Sequence, residues 1–109
     1  MTHLINTFSA LADETRLGMV ERLMQQGELP AGELVADASI SGPAVSRHLK
    51  VLRAAGVVTQ RAVGTKRYYS VKPEALKAIS DWTIDHRVFW SAGLDRLEEM
   101  LALEEDTDT

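Results

Sequence analysis

The chain of 109 residues contains no cysteine. That absence excludes a disulfide, a thiolate metal site and a cysteine nucleophile. No run approaches the ~20 consecutive apolar residues that cross a bilayer. The first residues lack a basic stretch followed by an apolar run, so no secretion signal is expected and a cytoplasmic location is the default. Acidic residues are missing from one long window. Between Asp37 and Glu74 there is none, while Arg47, Lys50, Arg53, Arg61, Lys66, Arg67 and Lys72 lie inside it. The rest of the chain carries five Lys or Arg against all sixteen acidic residues. The net charge of -4 therefore conceals a basic segment. Phosphate binding depends on such local charge, not on the chain sum. Chance clustering on a solvated surface explains the charge alone equally well.

Apolar residues make up 45% and charged residues 26%, ordinary values for a globular protein. The length suits one compact domain with one core, expected over 1–103. The end, 104–109, is acidic and lacks apolar anchors, so it reads as a disordered tail.

Apolar spacing sets out the elements. Ile5, Phe8 and Leu11 or Ala12 repeat at three to four residues, as in a short helix over about 3–12. Asp13 is a plausible N-cap for a second helix with the stripe Leu17, Val20, Leu23 and Met24, closed by Gly27. Glu28-Leu29-Pro30 reads as a connector, and Ala31 to Ala38 as a short third helix. Ser41 or Gly42 would cap a fourth over Pro43 to Ala55, where Pro43 is tolerated in the first turn. Val45, Leu49 and Leu52 share its core face; Pro43, Ser46, Arg47 and Lys50 share a polar one. Val57 to Arg61 and Lys66 to Val71 are β-rich and joined through Gly64, which signals a two-stranded hairpin. Tyr68 and Tyr69 face opposite sides of it. From Glu74 to Leu103 apolar residues recur at near-helical spacing. A continuous helix there would be about 45 Å long, more than so small a domain covers. Either Gly93 or the aromatic cluster kinks it, or a second chain covers the excess. The first and last helices (about 3–12 and 74–103) are the apolar elements left over, and a symmetric dimer is their natural use. Ile5, Phe8, Trp82, His86, Phe89, Trp90, Leu94, Leu97 and Leu101 are the candidate interface residues.

Two helices joined by a tight turn, the second opening on small residues and carrying Arg and Lys outward, fit a helix-turn-helix. The fold expected is thus mainly α with a small β-hairpin, a winged helix-turn-helix dimerising through its N- and C-terminal helices. Small residues (Ser41, Gly42, Pro43, Ala44 and Ser46) let the helix enter the major groove. Arg47 can pair bidentately with guanine, Ser46 with a base or phosphate, and Lys50 with a phosphate. Arg61, Thr65, Lys66 and Arg67 are the candidate wing contacts. His48 fits a DNA contact or a buried, hydrogen-bonded histidine under the helix. Ser46 and His48 cannot act as a hydrolase pair, because residues two apart on a helix do not face each other. No nucleophile, base and oxyanion donors can be assembled, so the chain is not read as an enzyme.

The segments FSALADETRLGMVERL and GELVADASISGPAVSRHLKVLRAAGVVTQRAVGTKRYYSV resemble the ArsR family of bacterial repressors. SRHLKVLRAAGVV, from Ser46 to Val58, is the most specific part, and the likeness covers about Phe8 to Val71. The resemblance implies a homodimer with a recognition helix at Pro43–Ala55 and a wing at Val57–Val71. It also implies binding to an inverted repeat in double-stranded DNA, repression, and release by an inducer. Metal sensing does not carry over. Arsenic- and cadmium-sensing relatives place Cys-x-Cys where this chain has Leu29-Pro30-Ala31-Gly32-Glu33. Zinc- and nickel-sensing relatives pair Asp-x-His with a later His motif, whereas Asp81-Trp82-Thr83 and Asp85-His86-Arg87 miss the first half and no histidine follows His86. No metal and no cofactor are therefore expected. Trp82, His86, Phe89 and Trp90 fit interface packing or a pocket for a small organic inducer. A winged helix kept only for protein–protein interaction is the competing function, and the basic window argues against it.

Overall fold

The computed structural model describes residues 2–36 and 38–107. By internal contacts the chain divides into two compact units, one ending at Lys77 and one beginning at Ala78. The first contains α1 (Thr2–Leu11), α2 (Glu14–Gln26), β1 (Leu29–Pro30), α3 (Ala31–Ala36), α4 (Gly42–Ala54), β2 (Val58–Val63) and β3 (Lys66–Val71). It also contains the start of α5 (Pro73–Asp85); α6 (Arg87–Thr107) belongs to the second.

Local chemistry explains the boundaries. Asp13 is extended and its carboxylate accepts the backbone N–H of Arg16 at 2.9 Å, which starts α2. Gly27 ends that helix at φ 79°, and its N–H returns to the Leu23 carbonyl. Ser41 caps α4 through Oγ, which accepts from the Ala44 N–H at 3.3 Å. Gly64, at φ 62°, and Thr65 form a two-residue turn between the paired residues Val63 and Lys66. A glycine at positive φ in the first central position suits the twist of a hairpin.

The core joins α2, α3, α4 and the sheet. Val20, Val45, Leu49, Leu52, Val57 and Val58 are buried, with Leu34, Leu29 and Tyr69 around them. The α2 stripe is rotated from the expected one. Met19, Val20 and Leu23 are buried, while Leu17 and Met24 are exposed. Leu17 and Met24 lie together on one edge of the apolar arc, and the neighbouring elements cover its centre and the opposite edge, where Met19 lies.

Three further expectations change, and one open alternative, the site of the C-terminal helix break, is decided. The hairpin is part of a three-stranded antiparallel sheet ordered β1-β3-β2. The supposed connector Leu29–Pro30 supplies the third strand by pairing with Tyr69 and Tyr68. Two residues carry too little pattern to announce a strand; only the exposed edge of β3 makes them one. The third helix stops at Ala36 rather than Ala38. The long C-terminal helix breaks at His86, within the aromatic cluster, while Gly93 lies inside α6. Helix also continues through Glu104–Thr107 of the supposed disordered tail; Asp108 and Thr109 lie outside the described residues. Among the described residues no helix is long and apolar enough to cross a membrane.

Candidate nucleic-acid interface

α4 presents two faces because its sequence does. Val45, Leu49 and Leu52 point into the core, and Pro43, Ser46, Arg47, Lys50 and Arg53 are exposed. At its start Ser41 is exposed, with its hydroxyl spent on the cap, while Gly42 and Ala44 are half-buried. Gly42 lies where a Cβ would sit 3.7 Å from a Val35 methyl, so the turn brings α3 and α4 close. Ser46, Lys50 and Arg53 follow at i, i+4 and i+7 and form one stripe. Arg53 was absent from the expected contacts, although that spacing marks it.

His48 is half-buried and faces α2. Its Nδ1 lies 3.3 Å from Arg16 Nη1 and 3.8 Å from an Asp13 carboxylate oxygen. Arg16 in turn donates from Nε to the Ala10 carbonyl at 2.6 Å. The histidine therefore ties α4 to the α1–α2 junction; it is hydrogen-bonded, as one of the two readings has it, but half-buried rather than buried.

The wing positions its cations unequally. Thr65, Lys66 and Arg67 are exposed at and beside the turn. Arg61 is drawn back onto Glu28, donating from Nη2 to one carboxylate oxygen at 2.7 Å and from Nε to the other at 2.8 Å. Its guanidinium carbon also stands 5.2 Å from the Tyr68 ring centroid. The Arg61 hydrogen bond holds the Glu28 carboxyl below its ordinary value, and the same bond raises Arg61. Glu28 lies 33 residues from its partner, and no local pattern announces such a pair. The tyrosines resolve accordingly: Tyr69 enters the core and Tyr68 carries Arg61.

No local sequence pattern marks Gln60. With its amide nitrogen toward the Tyr69 hydroxyl (2.9 Å), its oxygen accepts from Arg53 Nη1 and Nη2 at 3.1 Å and from Arg67 Nη1 at 3.0 Å. This is the amide orientation in which both ends are satisfied.

In the second unit the helix break leaves the Thr83 carbonyl to the His86 N–H at 3.2 Å and to the Trp90 indole N–H at 2.9 Å. His86 Nδ1 donates to the Trp82 carbonyl at 2.7 Å, and the two rings lie 4.7 Å apart. A carbonyl only accepts, so that nitrogen carries the proton. The Trp82, His86, Phe89, Trp90, Leu94, Leu97 and Leu101 side chains are all exposed, as are Ile5 and Phe8 of α1.

This arrangement, a capped helix with a basic outer face beside a β-wing, has known counterparts. The family described as bacterial regulatory protein, arsR family, matches residues 13–60. The HTH-type transcriptional regulator Rv2034 of Mycobacterium tuberculosis is 42% identical over 99 residues, 91% of this chain and 89% of that protein. The chain belongs to the ArsR family. The arsenical resistance operon repressor of Escherichia coli is 42% identical over 69 residues, covering 63% of this chain and 59% of the repressor. Among solved structures, the ArsR family transcriptional regulator RHA00566 superposes with a TM-score of 0.74 at 26% identity, covering 83% of this chain and 92% of the other. The fold is therefore the winged helix-turn-helix of ArsR regulators, and the protein is a DNA-binding transcriptional regulator rather than an enzyme. Thiolate metal sensing does not fit this member, which has no cysteine. Among the described residues no three His, Asp or Glu side chains converge to hold a metal ion.

Proposed function

We propose that this ArsR-family regulator is a cytoplasmic repressor that binds an inverted-repeat operator as a homodimer. One observation carries the reading. The exposed stripe of α4 stands beside a wing whose Lys66 and Arg67 have no carboxylate partner among the described residues. Ser41, Gly42, Pro43, Ala44, Ser46, Arg47 and Lys50 would enter the major groove, with Arg47 and Ser46 reading base edges. His48 would act from behind, by fixing the helix on Arg16. Thr65, Lys66 and Arg67 would follow the phosphates, and Arg61 would contribute less because Glu28 already neutralises it.

Dimerisation is supported by exposed apolar surface. No residue of α6 is buried among the described residues, and Val88 and Phe89 are each 80% exposed. Covering a large apolar side chain is worth ~1.5–3 kcal/mol, so a second copy has a strong driving force. Ile5 and Phe8 on one helix and Trp82, His86, Phe89, Trp90, Leu94, Leu97 and Leu101 on the others would form the interface. Two recognition helices would then meet successive major grooves roughly 34 Å apart. The releasing signal is one not sensed through thiolates; interface packing is the use that the Trp82–His86 cluster favours, and a pocket for a small organic inducer is the alternative.

The test is a salt titration of binding to DNA upstream of the coding region, with scrambled DNA beside it. Preference for the upstream DNA, with affinity falling steeply as salt rises, is the expected result. No binding to either DNA at low salt would overturn the reading.

A further inference from the structure

Between the second half of α4 and the base of the wing lies a notch of about 380 Å³ lined by Lys50, Arg53, Ala54, Val58, Thr59, Gln60 and Lys72. Three of those residues are cations and none is acidic. Arg67 joins them through Gln60, whose single amide oxygen accepts from both guanidinium groups at 3.0–3.1 Å. Two like charges are thus held on one neutral oxygen. An amide dipole orients them but cancels neither charge. Among the described residues none of Lys50, Arg53, Arg67 and Lys72 pairs with a carboxylate. Arg61 on the same sheet shows what happens where a carboxylate is available.

We propose that this notch is a phosphate-binding site, with Arg53 and Arg67 as donors, Gln60 as the residue that positions them, and Lys50 and Lys72 at its rim. A guanidinium has five N–H donors. Gln60 engages two on Arg53 and one on Arg67, which leaves further donors for a tetrahedral oxyanion. The source favoured by position is the DNA backbone. Arg53 follows Ser46 by seven residues on one stripe, about 10 Å along the helix, where a strand bordering the occupied groove would pass. In that form the site rests on the DNA-binding reading. The same chemistry would accept a free phosphate-bearing ligand.

Gln60→Glu tests the site, because it keeps the shape and places a carboxylate under both guanidiniums. Arg53→Ala is the second variant, checked for folding by thermal melting. With DNA, both are expected to weaken operator and scrambled duplex alike by tenfold or more at low salt. The salt slope should fall by about one for Arg53→Ala, and the operator preference should stay unchanged. With inorganic phosphate, the Arg53 and Arg67 Nε–H and Thr59 amide NMR signals should shift saturably in the parent and not in Gln60→Glu. Phosphate shifts with unaltered DNA binding in both variants would assign the site to a free ligand. A parent that binds no DNA yet shows those shifts would sink the repressor reading and leave the site standing. Unaltered DNA binding together with no phosphate shifts would overturn the proposal while the DNA-binding reading survived.

Discussion

Arg16 Nη1 lies 3.3 Å from His48 Nδ1, so a residue of α2 holds α4 from behind. The same guanidinium bonds the Ala10 carbonyl at the end of α1, and its side chain is only 17% exposed. One side chain thereby fastens three helices together. Arg16→Ala leaves the Ala10 carbonyl without this donor and removes the support of His48. A loss of about 2 kcal/mol is expected, from hydrogen bonds with a charged donor. Urea unfolding measures it, and a change below about 0.5 kcal/mol would show that the network contributes nothing beyond ordinary surface substitution.

Asp13 adds a pH dependence. The Arg16 backbone N–H does most to lower its pKa in the folded protein; burial opposes it, and the Arg16 and His48 charges and the Thr15 N–H lower it further. A lowered folded pKa means the ionised form is favoured by folding. Its contribution is full above the ordinary value of 3.8 and is lost as pH falls through the folded value. The stability gap between the parent and Asp13→Ala should therefore be constant near neutrality and narrow in acid. Unfolding curves from pH 7 down to about pH 2.5 check this, and a gap that widens in acid contradicts it.

Glu28 restrains a wing cation. Glu28→Gln removes the charge that holds Arg61 and leaves the shape nearly intact. DNA affinity should rise, and the salt slope should steepen by up to about one unit. Arg61→Ala should accordingly cost less DNA affinity than Lys66→Ala. Equal losses in the two alanine variants would show that the pairing with Glu28 is given up on binding.

Arg47 and Lys66 should differ in kind. Arg47→Ala is expected to cost about 1–3 kcal/mol of operator binding and to relax preference at one base position. Lys66→Ala should weaken all sequences alike and lower the salt slope by about one. Binding of each variant to a panel of single-base operator changes separates the two patterns.

Leu97→Asp puts a charge on α6, where Leu97 is half exposed in the single chain. If this surface joins two copies, the variant should sediment as a folded monomer and lose most of its operator affinity. A dimer of undiminished stability in analytical ultracentrifugation would remove α6 from the interface.

Much of this was legible in the residues. Capping chemistry and helical spacing are local, so Asp13, Gly27, Ser41, Val45, Leu49, Leu52 and Gly64 declared their roles within a few residues of themselves. The basic outer face of α4 followed from the same periodicity, together with the acid-free window around it. What remained hidden depends on partners far apart in the chain. Leu29–Pro30 becomes a strand because β3 offers an edge, and α2 buries Met19 rather than Leu17 because of where its neighbours lie. Arg61 is paired because the fold carries Glu28 to it, while Arg53 and Arg67 stay unpaired because the fold carries them to an amide oxygen. The sequence by itself determined the main helices and the hairpin, the family and the sign of charge on the wing. Only the tertiary structure decided which of those charges are neutralised at home and which are left for a ligand, because an ion pair depends on distance in space.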